Sequence, residues 1–368
     1  MEGQKVLIIS SEFPPLPGGI GKHAYHLAKA LSAQHYKVTV LTDQRDTKAA
    51  EAQFDATCSF RVERVPLSRP RWQMYVARFV KAKALVKTAD KIIVTGKFSL
   101  WLGGYLSRFQ SKSVIAIIHG TEVNYNSWPL RRSIDWSLKQ MHKVVAVSKF
   151  TADLVEHLNL QQIRVIPNGY NPEEWQGAPQ GAKSLIGSPI LLTVGRLSER
   201  KGQAQMIQCL PSLKQKYPTI HYHCVGIDSD KKRLNDLALT LGVDNHVTFH
   251  GIGTHTEVQQ AYREADIAVM LSQNTASGDV EGFGIALLEA NHFGVPSLGA
   301  KDTGIEDAID HGRSGLLVNA NDQTEVIEAI DQLSEQSETF AEGAKLWAAK
   351  HQWSNIVEAY NKLLTECD

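Results

Sequence analysis

The sequence predicts an α/β protein made of two doubly wound domains, each a parallel sheet wrapped by helices. At 368 residues the chain is longer than one hydrophobic core usually serves. Short apolar runs alternate with helix-like segments in both halves of the chain, as in parallel sheets joined by crossover helices. A stretch rich in turn-forming and polar residues, from Asn168 to Gly181, separates the two series and is interpreted as the hinge.

The predicted strands follow from these apolar runs. The first series lies at 5–10, 37–41, 91–95, 113–118 and 143–147, which places the N-terminal domain over 1–170. The second lies at 189–194, 220–225, 246–249, 267–271, 295–298 and 315–318, which places the C-terminal domain over 171–351. The segment from Trp347 to Leu364 has helical apolar spacing and can pack on either domain.

Composition limits the classes of function. Lys and Arg number 39, as do Asp and Glu, so the net charge is 0 and nothing at this level favours nucleic acid as a partner. The four cysteines show neither metal-ligand nor disulfide spacing. No apolar run approaches the roughly 18 residues of a membrane span. We expect a cytoplasmic protein that at most lies peripherally on the inner face of the membrane.

A glycine-rich loop follows the first predicted strand and precedes a helix-like segment. Its glycines are Gly18, Gly19 and Gly21. Glycine lets backbone N–H groups approach a phosphate closely, and a helix N-terminus adds a favourable dipole. Taken alone, a tight turn without a ligand is an equally good interpretation.

Two further loops carry charged residues in the second series. Arg196 and Lys201 follow a predicted strand at the edge where open α/β sheets bind ligands, and a guanidinium with an ammonium can neutralise a diphosphate. Two solvated cations would be the usual interpretation of such a pair. The segment from Glu281 to Glu289 reverses that judgement, because its glycines open a helix and offer a second phosphate cradle. The candidate donor-binding residues of this segment are Glu281, Gly282, Phe283, Gly284, Ile285 and Glu289.

These motifs, in this order, resemble those of the family-4 retaining glycosyltransferases, especially the phosphatidylinositol mannosyltransferase branch. The resemblance covers nearly the whole chain. It implies a GT-B fold with two Rossmann-like domains facing a central cleft, a C-terminal helix at about 352–368 that joins the N-terminal domain, and no metal or other cofactor. It also implies that Gly19 contacts the donor phosphate, Arg196 and Lys201 hold the diphosphate, Glu281 holds the sugar and Glu289 holds the ribose.

The same resemblance points to His119, at the end of an N-terminal strand. An imidazole there can hydrogen-bond a sugar hydroxyl while the adjacent carbonyl faces the positive charge that grows at the anomeric carbon. A lone histidine at a strand end is otherwise more often structural. Ser148 and Lys149 follow another strand with weaker claims. Contacts to the base are expected from backbone groups near Gly226 and Gly251.

The chain departs from many relatives after the strand at 220–225. Where they carry a Gly-Asp-Gly-Pro type of loop, this chain has Asp228, Ser229 and Asp230, which imitate an Asp-x-Asp metal motif. We favour a helix N-cap before 231–241, because aspartate readily accepts N–H bonds there.

A basic segment runs from Arg61 to Lys91, with nine Lys or Arg, two acidic residues and a local net charge of +7. An apolar stripe recurs at helical spacing within it, and Arg78, Lys81 and Lys87 are expected off that stripe. A helix whose stripe lies in the core is somewhat favoured over a basic helix on an anionic membrane. The stripe consists of Trp72, Tyr75, Val76, Phe79 and Val80.

The resemblance implies a hexosyltransferase that uses a nucleotide-diphosphate sugar as its substrate, with GDP-mannose favoured and UDP-hexose close behind. Front-face substitution would retain the anomeric configuration. The acceptor would be a lipid-linked molecule or a glycan. Two alternatives stay open: a nucleotide-sugar epimerase on the same fold, and a catalytically silent nucleotide-sugar-binding protein.

Overall fold

The computed structural model describes residues 3–109, 112–177 and 184–366. The chain divides into two compact units, Met1–Gly169 with Trp353–Asp368, and Tyr170–Gln352. Each unit is built on its own parallel sheet wrapped by helices, so the two predicted Rossmann-like domains are confirmed. The predicted hinge begins where the units meet in sequence, and its residues 178–181 lie outside the described residues.

Within the described residues, seven parallel strands form the sheet of the first unit, in the order β3-β2-β1-β4-β5-β6-β7. The strand order changes direction at β1, with β2 and β3 on one side of it and β4 to β7 on the other. Such a switch point opens a crevice at the carboxyl ends of the strands. The strands are β1 (Lys5–Ser10), β2 (Lys37–Asp43), β3 (Arg61–Val65), β4 (Lys91–Thr95), β5 (Val114–Ile118), β6 (Lys143–Ala146) and β7 (Ile163–Val165).

Two of these strands were missed by sequence reasoning, and both lie at the edges of the sheet. β3 reads Arg-Val-Glu-Arg-Val, and only Val65 is fully buried. β7 has three residues, none of which is fully buried. Edge strands carry no continuous apolar run, because water reaches them on one side. The other five strands lie within one residue or two of their predicted positions.

Helices cover both faces of the first sheet. They are α1 (Gly19–Ala33), α2 (Lys48–Asp55), α3 (Arg71–Val86), α4 (Lys97–Phe109), α5 (Trp128–Gln140) and α6 (Lys149–Asp153). Among the described residues, no helix is both long and apolar enough to cross a bilayer.

Helix α3 buries a different face from the one that the sequence pattern indicated. Its buried residues recur every four positions, at Met74, Arg78, Ala82 and Val86. Arg78, expected off the apolar stripe, is 2% exposed. It pairs with Asp43 of β2, with 2.8 Å between Nε and Oδ1, and its guanidinium lies 3.9 Å from the centre of the Phe98 ring. Arg78 therefore lies off the predicted stripe, as expected, but it is buried rather than solvated, because the carboxylate of Asp43 compensates its charge.

Most of the predicted apolar stripe of α3 faces outward instead. Trp72 is 61% exposed, Val76 52% and Val80 60%. Tyr75 is also exposed, although its ring stacks on Phe98 at 4.6 Å. The prediction that this stripe packs into the core is wrong for these residues. Only Phe79 of the stripe is half-buried, and it packs edge-on against Tyr105.

In the described part of the second unit, six parallel strands form the sheet, in the order β10-β9-β8-β11-β12-β13, and all six were predicted. The order reverses at β8. The strands are β8 (Ile190–Val194), β9 (His221–Val225), β10 (Val247–Gly251), β11 (Ile267–Met270), β12 (Ser297–Ala300) and β13 (Gly315–Val318). The helices are α7 (Gln203–Lys216), α8 (Lys231–Thr240), α9 (His255–Glu264), α10 (Ile285–His292), α11 (Gln323–Glu335) and α12 (Ser337–Lys350).

The C-terminal helix, α13 (Trp353–Thr365), belongs to the first unit and packs on α1. Its indole at Trp353 stacks on His26 of α1, with 6.0 Å between ring centres. Tyr360 is fully buried, and its hydroxyl lies 3.3 Å from His23 Nε2. The sequence left open which domain this helix packs on, and the structure places it on α1 of the first unit.

Candidate active site

The loop after β8 holds the two predicted phosphate-binding cations in different environments. Arg196 is exposed, whereas Lys201 is largely buried and places its Nζ 2.7 Å from Glu281 Oε2. Gly202 turns the chain here with φ +73°, and a Cβ at this position would lie 1.7 Å from the carbonyl oxygen of Leu271. Only glycine fits, because it combines a left-handed backbone with no side chain. The loop therefore fixes Lys201 beside Glu281 and leaves Arg196 in solvent.

Arg200 joins this cluster, and sequence reasoning missed it. Its guanidinium pairs with Glu281 Oε2, and its Nε lies 3.1 Å from Asp279 Oδ2. Burial alone would raise the pKa of Glu281, but the charges of Lys201 and Arg200 hold the pKa below its ordinary value. Within the described residues, every recorded side-chain contact of Glu281 falls on Oε2. A single arginine in a charged loop carries no sequence signal that separates it from a solvated cation.

The segment after Glu281 leads directly into α10. Phe283 is 2% exposed, and Gly284 precedes the helix with φ +89° and no side-chain cap. Ile285 begins the helix. Gly304, also missed by sequence reasoning, supports the loop closely, since a Cβ there would lie 2.4 Å from the carbonyl oxygens of Glu281 and Gly282. N–H groups at a helix N-terminus suit an anion, and the phosphate-binding role expected of this segment stays a prediction.

Glu289, the predicted ribose ligand, lies in the middle of α10 and is 7% exposed. The hydroxyl of Tyr262 on α9 donates to Glu289 Oε2 at 3.1 Å. The pKa of Tyr262 stands well above its ordinary value because of burial and the charge of Glu289. A tyrosine thus holds this carboxylate from inside the unit. No periodicity in the sequence predicts this contact between Tyr262 on α9 and Glu289 on α10.

The predicted base-binding glycines lie at the ends of neighbouring strands. Gly226 donates its N–H to the carbonyl oxygen of Gly251 at 2.8 Å. A Cβ at Gly226 would lie 2.0 Å from the carbonyl oxygen of Gly195. The three strand ends therefore approach backbone to backbone at the carboxyl edge of the second sheet.

The acidic pair after β9 is engaged by basic residues of α8. Asp230 stands at the N-cap position of α8, but its side chain makes no capping hydrogen bond and pairs with Arg233, with 2.9 Å between Oδ2 and Nε. Asp228 lies 3.4 Å from Lys231. The predicted N-cap hydrogen bond is therefore wrong, because Arg233 offers a charged donor. Outside residues 1–2, 110–111, 178–183 and 367–368, no group of three His, Cys, Asp or Glu is arranged to hold a metal ion.

In the first unit, the glycine loop leads into α1 as predicted. Gly18 precedes the helix, Gly19 begins it, and no side chain caps its N-terminus. Gly21 is needed for packing, since a Cβ there would lie 3.0 Å from the backbone nitrogen of Phe13. At Gly19 a Cβ would meet no atom within 4 Å, so open space faces the first turn of α1.

His119 follows β5, and its Nε2 lies 2.9 Å from Thr95 Oγ1 at the end of β4. Burial and the nearby His23 hold the pKa of His119 well below its ordinary value. The imidazole is therefore neutral near pH 7 and can donate or accept a hydrogen bond. The structure brings His119 and His23 together, with 4.9 Å between their ring centres.

Glu122, another residue that sequence reasoning missed, fixes the backbone of His119. Its Oε1 accepts the N–H of His119 at 2.5 Å, and the residue is 4% exposed. Burial raises the pKa of Glu122 to about 7. In the described part of the chain, Oε2 has no hydrogen-bond partner. Ser148, by contrast, caps α6 by accepting the N–H of Thr151, and Lys149 is exposed at the start of that helix.

Comparisons with known proteins agree with this architecture. The family described as "Glycosyltransferase Family 4" matches residues 17–174, and "Glycosyl transferases group 1" matches residues 180–347. The crystal structure of HepE from Anabaena with UDP and glucose has a TM-score of 0.80 at 19% identity, covering 99% of this chain and 100% of that chain.

Two curated relatives extend over most of the chain. One, from Mycobacterium tuberculosis, is called a GDP-mannose-dependent alpha-(1-6)-phosphatidylinositol monomannoside mannosyltransferase and is 27% identical over 89% of each chain. A glycogen synthase of the same organism is 25% identical over 89% of this chain and 85% of its own.

Two parallel-sheet units with ligand-type loops at the carboxyl ends of their strands, together with these matches, define a glycosyltransferase of the GT-B fold. Within that class the chain belongs to the family-4 type.

Proposed function

We propose that the chain transfers a hexose from a nucleotide-diphosphate sugar to an acceptor with retention of anomeric configuration, and without a metal ion. The observation that carries the proposal is the cluster in the second unit, where the largely buried side chains of Lys201 and Arg200 share one oxygen of Glu281 beside exposed Arg196. Such a cluster holds a carboxylate at the edge of the sheet next to a cation that is accessible to phosphate.

The donor residues divide into two groups. Arg196, Lys201 and the N–H groups at the N-termini of α1 and α10 stabilise the diphosphate as it leaves with increased charge. Glu281 accepts hydrogen bonds from hydroxyls of the sugar through Oε1, because its recorded contacts in the described chain fall on Oε2. Glu289 accepts from the ribose.

The first unit supplies His119 to the sugar. As a neutral imidazole it hydrogen-bonds a sugar hydroxyl, and its backbone is held by Glu122. The bond from the anomeric carbon to the phosphate oxygen breaks, and the acceptor oxygen bonds to that carbon on the same face. The acceptor's proton passes to the departing phosphate oxygen, so no carboxylate acts as a covalent nucleophile. An α-linked donor then yields an α-linked product.

GDP-mannose is the favoured donor and a UDP-hexose is second. The relative that is 27% identical is called GDP-mannose-dependent, which supports the first. HepE was solved with UDP and glucose, which keeps the second in view. The base contacts proposed near Gly226 and Gly251 come from backbone groups, which every residue type offers, so the sequence does not select between the two bases.

The acceptor is proposed to be lipid-linked, with a glycan as the alternative. Trp72, Val76 and Val80 expose an apolar stripe on α3, and Leu67 just before the helix is 60% exposed. Exposed basic residues lie in the same segment, namely Arg69, Arg71, Lys83 and Lys87. An apolar stripe beside cations suits the surface of an anionic membrane. We therefore propose that the enzyme works peripherally on the inner face of the membrane.

Incubation with GDP-mannose, UDP-glucose and UDP-galactose tests the proposal, each with and without a lipid extract. Donor binding should raise the melting temperature, and NMR of the product should show a retained anomeric configuration. Epimerisation of the donor without an acceptor would favour the first alternative. Binding with neither transfer nor epimerisation would favour the second.

A further inference from the structure

Tyr262 is a buried residue whose side-chain hydroxyl contacts Glu289, the proposed ribose-binding residue. It lies on α9, is 1% exposed, and donates its hydroxyl to Glu289 Oε2 at 3.1 Å. Glu289 stands on a different helix, α10. Because Tyr262 is closed to solvent, it acts on a bound nucleotide only through Glu289.

The ring of Tyr262 is held on two sides. Phe293 stacks on it with 5.9 Å between ring centres and 19° between ring planes. Trp175 meets it edge-on at 5.4 Å and 74°. A tyrosine ring fixed by packing holds its hydroxyl oxygen in one place, so the hydrogen bond restrains the position of Glu289 Oε2 and limits rotation of the carboxylate.

We infer that Tyr262 is a positioning residue that aligns Glu289 on the ribose and thereby makes the enzyme distinguish ribonucleotides from deoxyribonucleotides. The inference rests on the proposed function, in which Glu289 accepts from ribose hydroxyls. A carboxylate whose rotation is limited favours a ribose hydroxyl in one place. A carboxylate that rotates freely binds water almost as well as that hydroxyl, so it distinguishes ribose from deoxyribose less.

The test measures binding of GDP and UDP by calorimetry, each beside its 2′-deoxy and 3′-deoxy forms. Wild-type protein should bind the ribonucleotide more tightly than the deoxy form that lacks the hydroxyl held by Glu289. Tyr262→Phe should weaken ribonucleotide binding by about tenfold, since a hydrogen bond to a charged group is lost. Its affinity for that deoxy form should change little, so the ratio of the two affinities should fall towards one.

Tyr222→Phe provides the matched control. Tyr222 lies in the same unit, is fully buried, and its hydroxyl lies 2.7 Å from Thr193 Oγ1, away from Glu289. This variant also loses a buried hydroxyl, but it should keep the wild-type ratio. In a Glu289→Gln background Tyr262→Phe should add little, because the two residues act as one unit.

Three outcomes separate the inference from the proposal beneath it. If Tyr262→Phe is folded by thermal melting and keeps the wild-type ratio, Tyr262 is merely structural and the inference is overturned. If wild-type protein binds a nucleotide but does not distinguish its deoxy forms, the ribose role of Glu289 is wrong and the inference falls with it. If wild-type protein binds neither GDP nor UDP, the proposed donors themselves are wrong.

Discussion

Lys201 Nζ lies 2.7 Å from Glu281 Oε2, so a cation assigned to the diphosphate and a carboxylate assigned to the sugar are direct partners. Arg200 contacts the same oxygen. A bound diphosphate would add a second anionic partner for Lys201, while Arg200 can keep Glu281 in place. Arg196, in contrast, is exposed.

Arg196 and Lys201 should therefore respond differently to removal. Arg196→Ala should lower the transfer rate by at least about a hundredfold with no change in melting temperature, because an exposed cation contributes little to folding. Lys201→Ala should lower the rate as much and also the melting temperature by ~2–4 °C, since buried Glu281 loses a partner. Steady-state kinetics and thermal melts measure both. Near-wild-type rates in both variants would remove these residues from the diphosphate site.

Glu122 should make the first unit lose stability as pH rises. Its pKa is raised from 4.5 to about 7 by burial. The protonated form therefore contributes stability that is fully present below pH 4.5 and is lost as the pH rises through 7. Relative to Glu122→Gln, which stays neutral, the free energy of unfolding of the wild type should fall by up to about 3 kcal/mol across this interval.

Urea unfolding of both proteins at several pH values measures this difference. The wild-type curve alone is insufficient, because His23, with its pKa lowered to about 4 by burial, contributes in the opposite direction. Its contribution is present above pH 6.5 and is lost as the pH falls through 4. Subtracting the curve of the glutamine variant cancels that term. A constant difference from pH 4 to 8 would show that Glu122 titrates normally.

The sequence predicts correctly those elements whose local pattern does not depend on residues from elsewhere in the chain. Buried strands such as β5 read as uninterrupted apolar runs, and the predicted glycines do stand at the starts of α1 and α10. Arg78 and Arg200 were misjudged or missed because their partners, Asp43 and Glu281, come from distant parts of the chain. A charge looks solvated in sequence until the fold brings its counter-charge to it.

Arg78 should therefore be a stability residue. Arg78→Ala should destabilise the protein by about 3–5 kcal/mol, because it leaves Asp43 as an uncompensated carboxylate in a largely buried place and removes a cation from the Phe98 ring. Lys87→Ala, on an exposed residue just after the same helix, should change stability by less than about 0.5 kcal/mol. Equal effects in denaturant titrations would contradict the buried pair.

Transfer should continue in the presence of a chelator. Asp228 and Asp230, the one Asp-x-Asp pattern that imitates a metal motif, are paired with Lys231 and Arg233. Asp230→Asn should accordingly leave the rate within a few-fold of wild type. The measurement is the initial rate in EDTA with and without added magnesium or manganese. A rate that collapses in EDTA and recovers with either ion would show that the proposed mechanism lacks a component.

The exposed face of α3 should bind anionic vesicles through both its apolar stripe and its cations. Trp72 is 61% exposed and Val76 52%, and exposed Lys83 and Lys87 follow later in the same segment. Wild-type protein should sediment with phosphatidylglycerol vesicles, sediment less with phosphatidylcholine, and lose binding as salt rises. Trp72→Ser with Val76→Ser should weaken binding at every salt concentration, whereas Lys83→Glu with Lys87→Glu should also flatten the salt dependence.

The substituted positions on and just after α3 avoid neighbouring residues whose side chains contact the rest of the first unit. Lys81 donates to Glu63 and to the carbonyl oxygen of Arg64, and Phe79 packs against Tyr105, so substitutions there would mix folding with binding. Both double variants should keep the wild-type melting temperature and the wild-type affinity for GDP or UDP. If wild-type protein ignores vesicles of both kinds, α3 is an ordinary surface helix. A glycan acceptor in solution would then replace the lipid-linked one.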